Sequence, residues 1–397
     1  MVTIEDLYIA YFDCRKHKRR TANALAFELE YEENLLALLE EINSGAYRIG
    51  KSICFVVTKP KLREIFAANF RDRIVHHLVI RKLEPLFEES FIEDTYNCRV
   101  GKGTLYGIGR LKEKVYQATE GFTKDVYIAK FDCKGFFMSI DKTILWNKLE
   151  MFIEQKYHAA DKPEIMRLAK QIVFHCPHKN CTRKSDISMW DKLDKDKSLF
   201  TCGDNFGLPI GNLSSQVLAN FYLNDFDRWM TEKFHGYYGR YVDDFYVIGQ
   251  KNEILAAISE IKEKLAELNV TLHPKKFYLQ HYSKGVKFTG AVVKFDRKYI
   301  NSSTANNMRH KIAQLNAIKD KEAHIQDAVA SLNSYLGYAR QFKSYGLRIE
   351  IMKTLSPEWN KYIYLTGSCE KMVIRKKYNP NYYGKKIRKN NRLCACN

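Results

Sequence analysis

Apolar residues along this chain recur at helical spacing over long stretches, which are interrupted by short runs that are apolar at almost every position. Residues 3–46 and 70–87 show the helical spacing, so we predict helices there, with a stop at Gly45. Residues 126–132, VYIAKFD, are too continuously apolar for a half-exposed strand and predict a central strand that ends on an acid. Residues 237–249, YYGRYVDDFYVIG, predict two strands around a tight turn. This mixture indicates an α+β fold.

The pattern also divides the chain into regions. We predict an N-terminal helical extension at 1–47, a mixed domain at 48–299 and a separate helical unit at 300–370. The mixed domain contains a polar, Lys-rich insertion at about 176–205. The final segment, 371–397, holds nine Lys or Arg residues and no acid. Such a segment is either a solvated, disordered tail or an arm that binds nucleic acid.

The charge balance narrows the class of partner. Sixty-five Lys and Arg residues against 46 Asp and Glu residues give a net charge of +19, which favours a polyanion: nucleic acid first, an anionic membrane surface second. No apolar run approaches the roughly 18 to 20 residues that cross a bilayer. The first residues are acidic where a signal peptide would be basic, so we expect a cytoplasmic protein that does not associate with a membrane.

The ten cysteines are scattered, which favours reduced thiols over a disulfide framework. Cys176, His178, Cys181 and Cys202 could together form a zinc site, but their spacing is loose and no second CxxC pair follows, so we favour unliganded residues. His76 and His77 occupy adjacent helical positions that point in different directions. We expect one core and one surface histidine rather than a metal site.

Acidic residues mark the candidate chemistry. Asp132 lies at the end of the predicted central strand, and Asp243 and Asp244 lie in the predicted turn. If neighbouring strands bring them together, their carboxylates can hold two Mg²⁺ ions about 3.5 to 4 Å apart, as nucleotidyl transfer requires. Asp in a hairpin turn is also common without any catalytic role, so the tetrapeptide YVDD alone leaves both interpretations open.

The surrounding motifs identify a family resemblance. In order along the chain, KLREIFAANFRDRIVHHLV, YIAKFDCKGFFMSID, GLPIGNLSSQVLANFYLN, GRYVDDFYVIG, LHPKKFYL and VKFTGAVV resemble the successive blocks of a bacterial reverse transcriptase. Most members carry a Gln-Gly pair in the second palm block, whereas this chain has Ile210-Gly211. That variant resembles the reverse transcriptases of diversity-generating retroelements. The resemblance implies a right-hand polymerase fold, with fingers and an antiparallel palm sheet in 48–299 and a helical thumb in 300–370.

The resemblance also implies the ligands of the metal ions. Asp132 and Asp243 should bind two Mg²⁺ ions, Asp244 should support the site, and the backbone carbonyl of Cys133 is a further ligand. Lys275 or Lys276 matches a lysine that protonates the leaving pyrophosphate, although two lysines on a solvated loop are equally ordinary.

Nucleotide and primer contacts follow from the same resemblance. Phe136 and Phe137 are candidate contacts to the nucleotide. Phe137 matches a steric gate that excludes a 2′-hydroxyl, with core packing beside Phe136 as its alternative. Arg63 matches a contact to the triphosphate, with an exposed surface arginine as its alternative. The remaining matches are Ile210 beside the incoming nucleotide, Gly211 and Gln216 on the template side, and Phe288, Thr289 and Gly290 as a primer grip.

The implied activity is RNA-templated, error-prone synthesis of cDNA mutagenised at adenines, by a bacterial or phage-encoded enzyme. Its partners would be a template RNA, the RNA/DNA hybrid, deoxynucleoside triphosphates (dNTPs) and a small basic oligomeric accessory protein. A retron, group II intron-like or phage-defence reverse transcriptase is the alternative within the family. A non-enzymatic RNA-binding scaffold is disfavoured because clustered acids are a liability near a polyanion unless metals occupy them.

Overall fold

The chain divides into two compact units, residues 1–281 and residues 282–397. The computed structural model describes residues 1–16, 21–58 and 61–379. Helices and strands are mixed in both units, which confirms the predicted α+β class. Among the described residues, no helix is both long enough and apolar enough to cross a bilayer.

Twelve helices of the first unit fall within its described residues, and most pack around one core. They are α1 Ile4–Arg15, α2 Ala22–Glu28, α3 Tyr31–Ser44, α4 Phe70–Ser90, α5 Thr104–Ala118, α6 Phe136–Ser139, α7 Lys142–Lys156, α8 Lys162–Phe174, α9 Ser188–Asp191, α10 Leu213–Tyr222, α11 Asn224–Lys233 and α12 Lys251–Ala266. Helix α3 ends at Gly45, whose φ of 81° suits the left-handed C-cap that the sequence predicts.

The N-terminal helices are part of the main core. Leu7 of α1 and Leu35 and Leu38 of α3 are fully buried in the same apolar cluster as Phe131 and Phe245. The predicted extension at 1–47 is therefore packed against the mixed domain, where its apolar residues join the core around the central sheet.

A four-stranded antiparallel sheet forms the centre of the first unit. Its order is β5-β6-β3-β7, where β3 is Tyr127–Asp132, β5 Tyr238–Tyr241, β6 Asp244–Gly249 and β7 Tyr278–His281. Strand β3 pairs on both sides, as its continuously apolar sequence predicts. Its Phe131 ring stacks on that of Phe245 on β6, with centroids 5.0 Å apart.

A second sheet contains a strand from the predicted insertion. Strands β1, Ser52–Val57, and β2, Arg63–Ala67, are antiparallel, and β4, Cys181–Arg183, adds parallel to β1. The buried carboxylate of Glu64 on β2 accepts hydrogen bonds from Trp190 Nε1 (2.7 Å), Ser198 Oγ (2.8 Å) and the Leu199 amide (2.8 Å). The insertion is therefore an ordered brace on this sheet.

The second unit has a small sheet, three helices and a hairpin among its described residues. They are β8 Val286–Phe288, β9 Ala291–Val293, β10 Lys298–Ile300, α13 Ser302–Asn316, α14 Ile325–Ala339, α15 Tyr345–Lys353, β11 Ile363–Thr366 and β12 Lys371–Ile374. Within the described part of the chain, strands β8 to β10 pair only with one another, in the order β10-β9-β8. They therefore belong with the helices, and the unit begins at Tyr282 rather than at the predicted residue 300.

The start of the predicted basic tail is wrong. Residues 371–374 form β12, whose Met372 is buried and exchanges two backbone hydrogen bonds with the Asn333 side chain, at 2.7 and 2.8 Å. The prediction relied on charge alone and overlooked the apolar run from Met372 to Ile374, which is long enough to pair with β11. Residues 380–397 of that tail lie outside the described residues.

Candidate active site

Three carboxylates meet at one end of the central sheet. Asp132 is the last residue of β3 and lies directly opposite Asp244, the first residue of β6. Asp243 precedes it in the turn between β5 and β6, and the Cys133 amide donates to the Asp243 carbonyl at 3.1 Å. The turn and the end of β3 are thus joined through the backbone, although the two aspartate segments are far apart in sequence.

Burial and the neighbouring negative charges disfavour the ionised forms of Asp243 and Asp244. Burial, with the nearby charge of Asp132, raises the pKa of Asp243 to about 6. Burial also raises the pKa of Asp244, whose Oδ1 is buried without a hydrogen-bond partner. Hard oxygen donors in this arrangement fit Mg²⁺, which would give that oxygen a partner. The Cys133 carbonyl as a ligand stays a prediction.

Two lysines partly offset this charge. Lys276 Nζ lies 2.6 Å from Asp132 Oδ1, and Lys130 Nζ lies 2.7 Å from Asp244 Oδ2. The structure therefore distinguishes the two predicted lysines, although both are exposed: the Lys276 ammonium pairs with Asp132, whereas Lys275 contacts His273 through its backbone amide, at 3.2 Å.

The sequence analysis missed the residues that hold the catalytic turn. The Val242 amide donates to Asn97 Oδ1 at 2.8 Å, and the Val242 carbonyl accepts from Arg240 Nη1 at 2.8 Å. Arg240 is fully buried against Asp227. An arginine within an otherwise apolar strand is a sequence signal that could have indicated a buried polar network.

The two phenylalanines after Asp132 have different surroundings. Phe136 is 2% exposed and lies in the main core, so its prediction as a nucleotide contact is not supported. Phe137 is half-buried, and its carbonyl accepts from the Leu208 amide at 2.8 Å. Neighbouring positions on α6 point in different directions, which is why only one of the two rings reaches the surface.

The segment of Ile210 runs beside β2. The Ile210 carbonyl accepts from the Phe66 amide at 2.8 Å, and its side chain packs at the edge of a small cluster that includes Phe66 and Met138. Gly211 has a φ of 130°, and a Cβ there would lie 2.8 Å from the Phe66 carbonyl oxygen, so only glycine fits. Gln216, half-buried on α10, accepts from Cys98 Sγ at 3.1 Å.

Arg63 is exposed at the start of β2. The sequence analysis overlooked its neighbour Lys61, whose positive charge acts to lower the pKa of Asp244. Lys61 therefore lies within electrostatic reach of the carboxylates. The available signal was in the sequence, where Lys59 and Lys61 lie just before Arg63.

The predicted primer-grip residues lie at the turn between β8 and β9 in the second unit. Phe288 is buried, and Thr289 and Gly290 have φ angles of 42° and 91°. Tyr338 on α14 donates its hydroxyl to the Thr289 carbonyl at 2.9 Å, which fixes this turn.

The four candidate zinc ligands do not form one site. Cys176 and His178 group with Asp204, their ligand atoms lying within 4.8 Å of one another, whereas Cys202 Sγ faces the Ser198 carbonyl at 3.3 Å. The buried ammonium of Lys142 donates to Cys176 Sγ at 3.4 Å and to the Asp204 carbonyl at 2.9 Å. The Lys142 ammonium already supplies a positive charge to this cluster, which disfavours zinc.

Cys181 is likewise turned away from the zinc candidates, with Sγ facing the His178 carbonyl at 3.9 Å. His76 is buried, with Nδ1 2.7 Å from Ser214 Oγ, whereas His77 is half-buried. The expectation of one core histidine is confirmed.

Comparisons with known proteins agree with this arrangement. The profile of the family described as "Reverse transcriptase (RNA-dependent DNA polymerase)" matches residues 57–293. Protein YkfC of Escherichia coli strain K12 is 22% identical over 293 residues, covering 64% of this chain and 70% of YkfC.

Two solved telomerase structures are also similar. Apo telomerase from Candida tropicalis has a TM-score of 0.48 and 11% identity, covering 77% of this chain and 56% of that chain. Telomerase from Candida albicans, in complex with a fragment of telomeric RNA, has a TM-score of 0.43 and 12% identity, covering 78% and 60%. The match thus spans only a little over half of each telomerase chain.

Proposed function

Because this chain belongs to the reverse transcriptases, whose family match covers more than half of it, we propose that it copies template RNA into cDNA by nucleotidyl transfer on two Mg²⁺ ions. Family membership confirms the right-hand polymerase fold that the motifs predict. The observation that carries the proposed activity is the meeting of Asp132, Asp243 and Asp244 at one end of the central sheet, with a buried carboxylate oxygen that lacks a partner.

The residues around this site suit the steps of the reaction. When bound, the two ions would activate the primer 3′-hydroxyl and neutralise the triphosphate. The three aspartates would hold them. Lys276 now pairs with Asp132, and a cation at Asp132 would release this ammonium toward the leaving pyrophosphate as a proton donor. Lys61, just before β2, and Arg63, at the start of β2, would contact the incoming dNTP.

We further propose that the enzyme is of the diversity-generating retroelement type. The support is Ile210, which places an aliphatic side chain where most relatives have an amide. It lies beside Gly211, where the close approach of the Phe66 backbone leaves no room for a Cβ. An error-prone product, and a small basic oligomeric accessory protein that joins the polymerase, belong to this proposal. So does the expected cytoplasmic location.

Asp243→Asn tests the proposed activity. It keeps the side-chain volume but removes the charge that holds a cation, so primer extension on an RNA template should fall by at least about a hundredfold, as loss of a catalytic metal ligand implies. RNA affinity should stay within about twofold, because a single carboxylate in a polyanion-binding site contributes little favourable binding. Asp225→Asn, an exposed aspartate on α11, is the matched control. Substantial residual extension by Asp243→Asn would contradict the two-metal assignment.

A further inference from the structure

The backbone of the catalytic turn is held in an unfavourable conformation. Val242, the residue before Asp243, has a φ of 60°. A β-branched side chain is a genuine outlier in this left-handed region, because its Cβ substituents crowd the backbone. Such strain persists only where the surroundings over-determine the conformation. The turn therefore needs external support.

Two side chains supply that support at the Val242 backbone. Asn97 Oδ1 accepts from the Val242 amide, and Arg240 Nη1 donates to the Val242 carbonyl, both at 2.8 Å. Asn97 lies 145 positions before Val242 in the chain. Both backbone polar groups of Val242 are thus bound by side chains.

The supporting side chains are themselves rigidly held. Arg240 and Asp227 are both fully buried, with Arg240 Nη2 2.5 Å from Asp227 Oδ2. Asn220 Nδ2 donates to the Asn97 carbonyl at 2.8 Å, and Arg240 Nη1 lies 3.3 Å from Asn220 Oδ1. Asn97 is therefore connected to the same buried network as the arginine. A network that is largely satisfied fixes a single arrangement.

The amide of Asn97 indicates what the side chain is for. Asn97 is 2% exposed, and its Nδ2 is buried without a hydrogen-bond partner. Burying an unpaired amide group is unfavourable, and the packing around it gives no compensating bond. The contact that accounts for an asparagine at this position is the one between Oδ1 and the Val242 amide.

We propose that Asn97 is a positioning residue that holds Val242 in its left-handed conformation and thereby aims the carboxylate of Asp243 at the metal ions. The inference rests on the proposed two-metal function. Asp244 is held opposite Asp132 by the pairing of β3 with β6, whereas Asp243 lies in the turn directly after Val242. A rotation at Val242 therefore moves the Asp243 carboxylate relative to the other two. When the ligands are already in place, binding of a cation does not include the free-energy cost of ordering the turn.

The first measurement concerns the turn itself and does not depend on catalysis. Hydrogen–deuterium exchange of a peptide covering residues 238–246 reports the Val242 amide. Asn97→Ala should lose protection there, whereas Asn97→Asp, which keeps an acceptor at the same atom, should retain it. Equal exchange in the wild type and Asn97→Ala would overturn the inference, as would equal loss in both variants.

The second measurement separates positioning from general destabilisation. Asn97→Ala should raise the Mg²⁺ concentration for half-maximal extension by about fivefold, the factor expected for one ordinary hydrogen bond. Thr95→Ala is the matched control: Thr95 Oγ1 contacts Asp227 in the same network at 3.3 Å without touching the turn. It should change that concentration by less than about twofold. Equal shifts in the two variants, or none in Asn97→Ala, would overturn the inference.

The two measurements distinguish the inference from the proposed function. If the wild type shows no Mg²⁺-dependent extension, the proposed function fails while the exchange experiment still decides whether Asn97 holds the turn. If Asn97→Ala does not fold, the comparison of Asn97→Asp with the wild type decides instead: loss of protection at Val242 in this variant would count against the inference.

Discussion

Ile210 is the residue on which the proposed retroelement type depends. An amide at this position could hydrogen-bond to the incoming nucleotide or to Arg63, and such a bond is worth about 1 kcal/mol, or roughly a fivefold preference. An aliphatic side chain cannot make it, so a correctly paired nucleotide loses part of its positioning advantage over a wrong one.

We therefore expect Ile210→Gln to lower misincorporation opposite template adenine more than opposite the other bases. Sequencing cDNA made by both proteins on one RNA template measures this. Ile210→Leu keeps the side chain apolar and serves as the control. If the glutamine and leucine variants have the same adenine error spectrum as the wild type, Ile210 is a packing residue and infidelity arises elsewhere.

Phe137 gives a second prediction for a single side chain. Its ring is half-buried, and shortening it in Phe137→Ala should open the space that a 2′-hydroxyl needs, so the preference for deoxy over ribo substrates should fall by about tenfold or more. Single-nucleotide incorporation with matched dNTP and rNTP substrates measures this preference. Phe136→Leu, which alters the buried neighbouring ring, should leave it unchanged. An unaltered preference in Phe137→Ala would assign the ring to packing.

At the level of elements, the insertion is expected to stabilise the sheet that carries Arg63. Trp190→Phe removes one of the donors to the buried Glu64 carboxylate, which should cost about 1.5 to 3 kcal/mol of unfolding free energy, the range for hydrogen bonds to charged groups. Urea unfolding measures it. Trp229→Phe, on α11, is the matched control and should cost clearly less. Equal losses would mean that the insertion rests on the sheet without bracing it.

The elements that the sequence predicted correctly are those with a strong local pattern. The apolar run of β3, the turn between β5 and β6 and the long periodic helix α4 were all identified from their own residues. Strand β4 was not, because three residues, CTR, carry no periodicity and become a strand only through pairing with β1. Helical periodicity likewise gave no hint that α1 and α3 share the core of the sheet.

The residues of the candidate site likewise fall into those that a local pattern indicates and those that only the fold brings together. The aspartates stand out because acids end or interrupt apolar strands, and the family motifs give them roles. Asn97 could not be found in this way, since its contact with Val242 joins positions that only the folded chain brings together. Spacing likewise grouped Cys176, His178, Cys181 and Cys202, whereas the fold brings Asp204 to Cys176 and His178 and adds the Lys142 ammonium.

Across the whole molecule, the positive charge is unevenly distributed. Residues 282–397 hold 23 Lys and Arg against seven Asp and Glu, a net charge of +16, which leaves only +3 for residues 1–281. Because counterion release scales with the phosphates that a protein neutralises, the salt dependence of RNA binding should arise mainly from the second unit.

Neutralising two exposed lysines of the second unit tests this expectation. The double variant Lys371→Gln and Lys377→Gln should make the log–log salt slope for single-stranded RNA shallower by up to about 1.4, since each phosphate contact contributes about 0.7. Filter binding across a salt series measures the slope. Lys251→Gln with Lys262→Gln, exposed on α12, is the matched control. Identical slopes for both double variants would show that charge in the two units counts equally.

The pairing of β3 with β6 also determines where the chain can change its length. Asp132 faces Asp244 because five residues of β3 before it are paired in register with β6. Side chains alternate between the faces of a strand, so deleting one residue within 127–131 would either separate the two acids or turn the apolar face toward water. Substitutions in these strands are tolerated as long as the alternation is kept, whereas gains and losses of residues are not. Length variation is therefore expected to accumulate in connections that carry no strand pairing, where residues can be added or removed without shifting any pair of strands at the carboxylates.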